Sequence, residues 1–147
     1  MIPSEIETNG PKRLNLGKVA FLLLAPPATI VALALYIPRY GVAPIDVALF
    51  LGLYVATGLG ITAGYHRYYA HRAYESHRFF EYLLVFFGTA ALQTPVIHWA
   101  SDHRYHHRHV DREGDPYSIR RGFFYAHMGW IFYDDVDGEG RGRPYEN

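Results

Sequence analysis

The chain contains no cysteine, and that absence excludes disulfides and thiolate metal sites together. It also lacks an excess of either charge. Lys plus Arg and Asp plus Glu both number 14, so no electrostatic case for nucleic acid arises and no nucleic-acid partner is expected. No segment repeats, and none is of low complexity. Charge is missing altogether from residues 19–37, VAFLLLAPPATIVALALYI, a run close to the ~20 residues that span a bilayer. A second uncharged run, VALFLGLYVATGLGITAGY, covers residues 47–65. Apolar residues make up 50% of the chain, and they are gathered into blocks. Ala32 and Ala34 mimic a signal-peptide cleavage site, but the long upstream tail and the apolar block that follows at once argue for a span.

These runs predict an all-α membrane protein with two transmembrane helices, at about 19–37 and 47–65, plus cytoplasmic and interfacial helices. Pro26 and Pro27 are expected to kink or break the first helix, and residues 38–46 form its connector to the second. Gly52, Ala56 and Gly60 recur every four positions and allow a partner helix to come close. Lys12, Arg13 and Lys18 precede the first span, Arg39 alone lies in the connector, and Arg67, Arg72 and Arg78 follow the second. Both ends are therefore expected in the cytoplasm, in an integral, multi-pass arrangement. Residues 1–18 and 134–147 read as polar tails, and 111–122 as a turn-rich loop. The aromatic stretch FFYAHMGWIFY, 123–133, reads as amphipathic and interfacial.

Against that oily background stands SDHRYHHRH, residues 101–109, with histidines at 103, 106, 107 and 109. The first three are spaced i, i+3, i+4 and share one helical stripe. They can converge on one ion, or His106 and His107 can serve two neighbouring ions. His66 and His71 follow the second apolar run; five apart, they lie roughly 140° round a regular helix and would not chelate one ion from it, so they fit better where the second span ends and its backbone departs from a regular helix, or where each serves a different metal. Imidazole suits iron, copper, nickel and zinc, so His66, His71, His103, His106 and His107 are candidate ligands of a two-metal site. His77, His98, His109 and His127 are expected to be solvated or outer partners. A shared site also constrains residues 79–99. One crossing there would part the two histidine groups by about 30 Å of hydrocarbon, so the segment is expected to be a buried cytoplasmic or re-entrant helix disturbed at Gln93, Thr94 and Pro95.

GITAGYHRYYAHRAY, ALQTPVIHWASDHRYHHRHVDREGDPYS and RRGFFYAHMGW together resemble the membrane-bound fatty acyl desaturases of the delta-9 acyl-CoA type, over about residues 45–133. The resemblance implies a four-span helical enzyme whose two non-haem iron ions are held mainly by histidine on the cytoplasmic side. It implies use of O2 and two electrons, from a cytochrome b5 or ferredoxin-like donor, to place a cis double bond in a saturated acyl chain. His66, His71, His103, His106 and His107 match the family's first two histidine boxes. An unactivated methylene has no acidic proton, so general acid–base chemistry alone cannot attack it, and the metal must carry that step. In the resembling enzymes the second span closes the far end of the acyl tunnel. Tyr54 is thus expected as its floor and Gly58 one turn nearer on the same face. Gln93 and Trp99 are expected to line the wall nearer the metals. Asp102 is expected to orient a ring or contact substrate, and Asp111 is a further neighbouring carboxylate.

Two family features do not occur in this sequence: the third box, HNxHH, and the later spans. The chain therefore reads as a partial desaturase domain, 1–147, with boxes at 66–71 and 103–107, and as inactive alone. Ser101 stands where acyl-CoA members often carry arginine, which leaves acyl-CoA and other acyl carriers both open. The competing readings are a related histidine-box alkane or sterol oxygenase and a non-catalytic membrane protein that binds metal.

Overall fold

The computed structural model describes residues 12–112 and 114–135. Of the polar tails expected at 1–18 and 134–147, residues 1–11 and 136–147 lie outside the described residues, and the rest is ordered instead: 12–14 and 134–135 are strand and 16–18 open a helix, because the two segments pair with each other. The described residues fall into two compact units. One draws on 12–39 and 106–135, the other on 40–105, and the division passes through a single helix between Tyr105 and His106.

The unit at 40–105 begins with α2, Pro44–Leu59. Pro44 opens this helix, where its missing N–H costs nothing. The Asp46 carboxylate accepts from the Ala43 N–H at 2.9 Å. The helix then widens without a break into a π-helix over Gly60–Ala70. Helix α3, Arg78–Ala90, follows, capped by His77, whose Nδ1 accepts from the Phe79 N–H at 3.2 Å. After a bend in which Leu92 takes a φ of 56°, α4 runs from Val96 to His109. The apolar run 79–99 is thus two helices meeting at the expected Gln93–Pro95 disturbance. The 13 residues of α3 reach about 20 Å, short of a bilayer core. The expectation that this segment is buried needs correction: only Gly88 of α3 is buried, because α3 packs by one face.

That face is made by glycine. A Cβ on Gly60 would stand 2.3 Å from the Gly88 nitrogen, and one on Gly88 would stand 2.5 Å from Tyr65 Cε1. Gly64 similarly admits Leu84, whose Cβ lies 3.0 Å from where a Gly64 Cβ would sit. The repeat of small residues is therefore used at its C-terminal end, whereas Gly52 faces open space. Tyr65 is fully buried in this seam, and its hydroxyl is 3.1 Å from Thr89 Oγ1.

In the other unit, α1 spans Leu16–Tyr40 as a continuous helix. Of the kink or break expected at Pro26 and Pro27, the break does not occur, and Pro38 also lies inside the helix, which shortens the connector to residues 41–43. Beside the two prolines the Thr29 hydroxyl donates to the Ala25 carbonyl at 2.8 Å, a side-chain bond back onto the preceding turn that accompanies the missing proline donors. Helix α1, and α2 with its π-helical extension, are each long and apolar enough to cross a membrane. Neither α1 nor α2 contains a buried residue.

The fold is mostly helical but not wholly so. Strand β1, Lys12–Leu14, pairs antiparallel with β2, Tyr133–Asp135, setting Arg13 opposite Asp134. Asn15 and Lys18 both donate to the Asp134 carboxylate, at 2.8 and 2.6 Å. The aromatic stretch 123–133 is not one amphipathic helix. It divides into α5, Phe123–His127, a 3₁₀ turn at Gly129–Phe132, and the start of β2, because the chain must turn at Met128 and Gly129 to reach β1.

Candidate metal centre

The π-helix decides how the first histidine pair sits. Its i→i+5 hydrogen bonds enlarge each turn by one residue. The His71 N–H donates to the His66 carbonyl at 3.1 Å, so residue 71 returns over residue 66. The two Nε2 atoms lie 3.1 Å apart and the rings meet edge to face at 4.6 Å. The pair diverges only on a regular helix of 3.6 residues per turn; the departure expected where the second span ends takes the form of this wider turn, which removes the divergence.

Helix α4 brings His103 to the same place, with Nε2 3.1 Å from His71 Nε2 and its ring 4.6 Å from that of His66. His107, one turn further along α4, completes the group: one ring nitrogen from each of the four histidines lies within 4.8 Å of the others. Two imidazole nitrogens bound to one ion at about 2.1 Å stand roughly 3 Å apart when they are neighbours around it. The 3.1 Å separations seen here match that spacing. Four imidazoles and no thiolate form a donor set for iron, copper, nickel or zinc.

The surroundings hold these rings still. Trp99 stacks on His103 with centroids 4.8 Å apart and 22° between planes, and its edge meets His66. The Trp99 Nε1–H donates to Gln93 Oε1 at 2.7 Å, and Tyr65 packs edge-on against the indole. The Arg104 guanidinium donates to the Tyr69 carbonyl at 3.2 Å, tying α4 to the π-helix.

His106 is not one of the group of four. Its Nδ1 lies 2.8 Å from Asp115 Oδ1, and its ring packs on Tyr117. Convergence of His103, His106 and His107 on one centre is therefore not what α4 presents, because i+3 and i+4 fall on opposite flanks of the His103 stripe. Asp111 is used in its own loop, accepting from the Ile119 N–H at 3.1 Å. His127 stacks on Phe123. Asp102 is half-buried beside His103 on α4, and Tyr54 and Gly58 lie on α2, with Tyr54 70% exposed and stacked on Phe50.

Residues 43–138 match the model of a known family, fatty acid desaturase. The chain belongs to that family. Among the relatives of this desaturase-family chain is a probable acyl-CoA desaturase of Schizosaccharomyces pombe, 50% identical over 78 residues. That alignment covers 53% of this chain and 16% of the relative. An sn-1 stearoyl-lipid 9-desaturase of Anabaena variabilis is 42% identical over 103 residues, covering 69% of this chain and 38% of its own. A delta-9 acyl-lipid desaturase of Arabidopsis thaliana is 42% identical over 104 residues, covering 71% and 34%. The chain thus spans well under half the length of the relatives it matches.

Sequence reasoning passed over Asp115. It is 1% exposed and accepts from His106, from the Asp111 N–H at 2.8 Å and from the Tyr117 N–H at 3.1 Å. The only signal was its place before Pro116 in the desaturase-like DREGDPYS segment.

Proposed function

We propose that this chain carries the first two histidine boxes of an O2-dependent fatty acyl desaturase, which introduces a cis double bond into a saturated acyl chain. The observation that carries this reading is the convergence of His66, His71, His103 and His107. Those four residues would hold one iron, and His106 would contribute to a second. Two non-haem irons, once bound, supply the oxidation that removes two hydrogens from neighbouring methylenes, with O2 and electrons from a cytochrome b5 or ferredoxin-type donor. The protein's part is to place the acyl chain and exclude water. Trp99 keeps the His103 ring fixed and, with Gln93, lines the wall nearest the ligands. Gly58 leaves room along α2, and Tyr54 forms the floor that limits chain length. Asp102 serves as an outer partner of a ring or of substrate.

The carrier is acyl-CoA or an acyl lipid, the two types that relatives' names include. Helices α1 and α2 span the bilayer, with the connector outside and the histidines at the cytoplasmic face, as the Lys and Arg distribution favours. Cysteines introduced at positions 42 and 75 are expected to label from opposite sides of the membrane.

The reading is tested by grafting residues 43–138 into the Anabaena variabilis desaturase in place of its own segment, in a desaturase-deficient host. Unsaturated fatty acids are expected from the graft, and their loss when His71 or His103 is replaced by alanine. A graft that makes full product with both histidines replaced overturns it. The chain expressed alone is expected to bind metal weakly and to form no double bonds.

A further inference from the structure

The buried carboxylate of Asp115 belongs to none of the four converging histidines, and its partners define a task for it. Its two oxygens meet three nitrogens: His106 Nδ1 and the Tyr117 N–H at Oδ1, and the Asp111 N–H at Oδ2. A carboxylate accepts on both oxygens, so all three nitrogens are satisfied when His106 Nδ1 carries a proton. In a neutral imidazole with Nδ1 protonated, Nε2 is left with its lone pair. The ring cannot swing to another pose cheaply, since it lies on Tyr117, which in turn packs on Trp130. A metal-binding histidine is typically held in this way, with the far nitrogen bonded to a carboxylate.

We infer that Asp115 is a positioning residue. It holds His106 in the Nδ1–H form and so presents Nε2 as a ligand to an ion other than the one gathered by His66, His71, His103 and His107. The inference rests on the metal reading of the second histidine box given above. An amide cannot replace this carboxylate. One of its two terminal atoms is a donor, and either orientation sets that donor against at least one N–H.

The experiment uses the chain in detergent micelles with its histidines labelled with ¹⁵N, first without metal and then titrated with Zn²⁺ alone. In the metal-free protein, two-bond ¹H–¹⁵N spectra are expected to show His106 in the Nδ1–H form, and Asp115→Asn to show a mixture of tautomers. The Zn²⁺ affinity read at His106 is expected to fall about 10-fold or more in Asp115→Asn, the range seen when outer partners of metal-bound histidines are removed. The affinity read at His66, His71, His103 and His107 is expected to change less than twofold. Wild-type His106 in the Nε2–H form overturns the inference, and this arm needs no variant to fold. So does a Zn²⁺ response at the four converging histidines with none at His106, or an equal response at His106 in both proteins. Failure of the underlying metal reading has a separate signature, the absence of any Zn²⁺ response at the four.

Discussion

Gly60→Ala tests whether the glycine seam between the π-helix and α3 supports the metal site. The new Cβ falls 2.3 Å from the Gly88 nitrogen and 2.6 Å from the Phe87 carbonyl carbon, where ordinary contact begins near 3.4 Å. Neither atom belongs to a side chain that can rotate away, so α3 must retreat by about 1 Å. Overpacking of this kind costs roughly 1–3 kcal/mol, less about 0.5–1 kcal/mol that alanine gains over glycine inside a helix. The retreat also loosens Tyr65, which is buried against α3 and adjoins His66 in sequence. Gly52→Ala provides the opposite sign, since a Cβ there meets nothing within 4 Å and only the helix gain of about 0.5–1 kcal/mol remains. The assay is thermal loss of helical circular dichroism in micelles, paired with Zn²⁺ affinity by chelator competition. Gly60→Ala is expected to melt several degrees below wild type and bind Zn²⁺ more weakly, whereas Gly52→Ala melts at or above it with affinity unchanged. If the two variants melt together and bind alike, the seam does not hold the histidines.

Removal of a converging ligand separates the four histidines from their neighbours in sequence. His71→Ala is expected to weaken Zn²⁺ binding at least 10-fold and His98→Ala less than twofold, read by the same competition. In the grafted enzyme, Tyr54→Ala is expected to shift products toward longer chains, because ~18 Å of helix lies between Tyr54 and His66; an unchanged profile returns Tyr54 to packing on Phe50. Burial tends to raise the Asp134 carboxyl, but hydrogen bonds from Lys18 and Asn15 and the charges of Lys18 and Arg13 hold it below the ordinary carboxylate range. Its folded pKa being lowered, its contribution is complete above about 3.9 and is lost as pH falls through the folded value. Asp134→Asn is expected to flatten that acid loss in the hydrogen exchange of residues 12–14; with the carboxylate 39% exposed, the pair is worth at most about 1 kcal/mol.

The parts of the fold visible in the sequence are those set by local composition. Uncharged runs located α1 and α2, and the Gln93–Pro95 interruption located the bend between α3 and α4. The parts that were not visible depend on backbone choices that composition does not encode. Pro26 and Pro27 look like breaks by propensity, yet the helix carries them. Strands of three residues, such as β1 and β2, are too short for alternation to register, and their pairing joins positions more than a hundred residues apart.

The histidines show the same division most sharply. The pair at 66 and 71 diverges under a 3.6-residue period and converges under an i→i+5 ladder, so the sequence supplied the ligands but not the turn that makes them ligands. Hydrophobic periodicity does not report that change, because Tyr65, Gly64 and Gly60 are buried for reasons of close packing against α3. The glycines and the histidines therefore act as one device. Gly60 and Gly64 let α3 press against the wider turn, and the wider turn brings His71 back to His66 and across to His103. On this account the five-residue spacing binds metal only where small residues permit a neighbouring helix to press on the enlarged turn. An i, i+5 histidine pair without them should behave as two separate side chains.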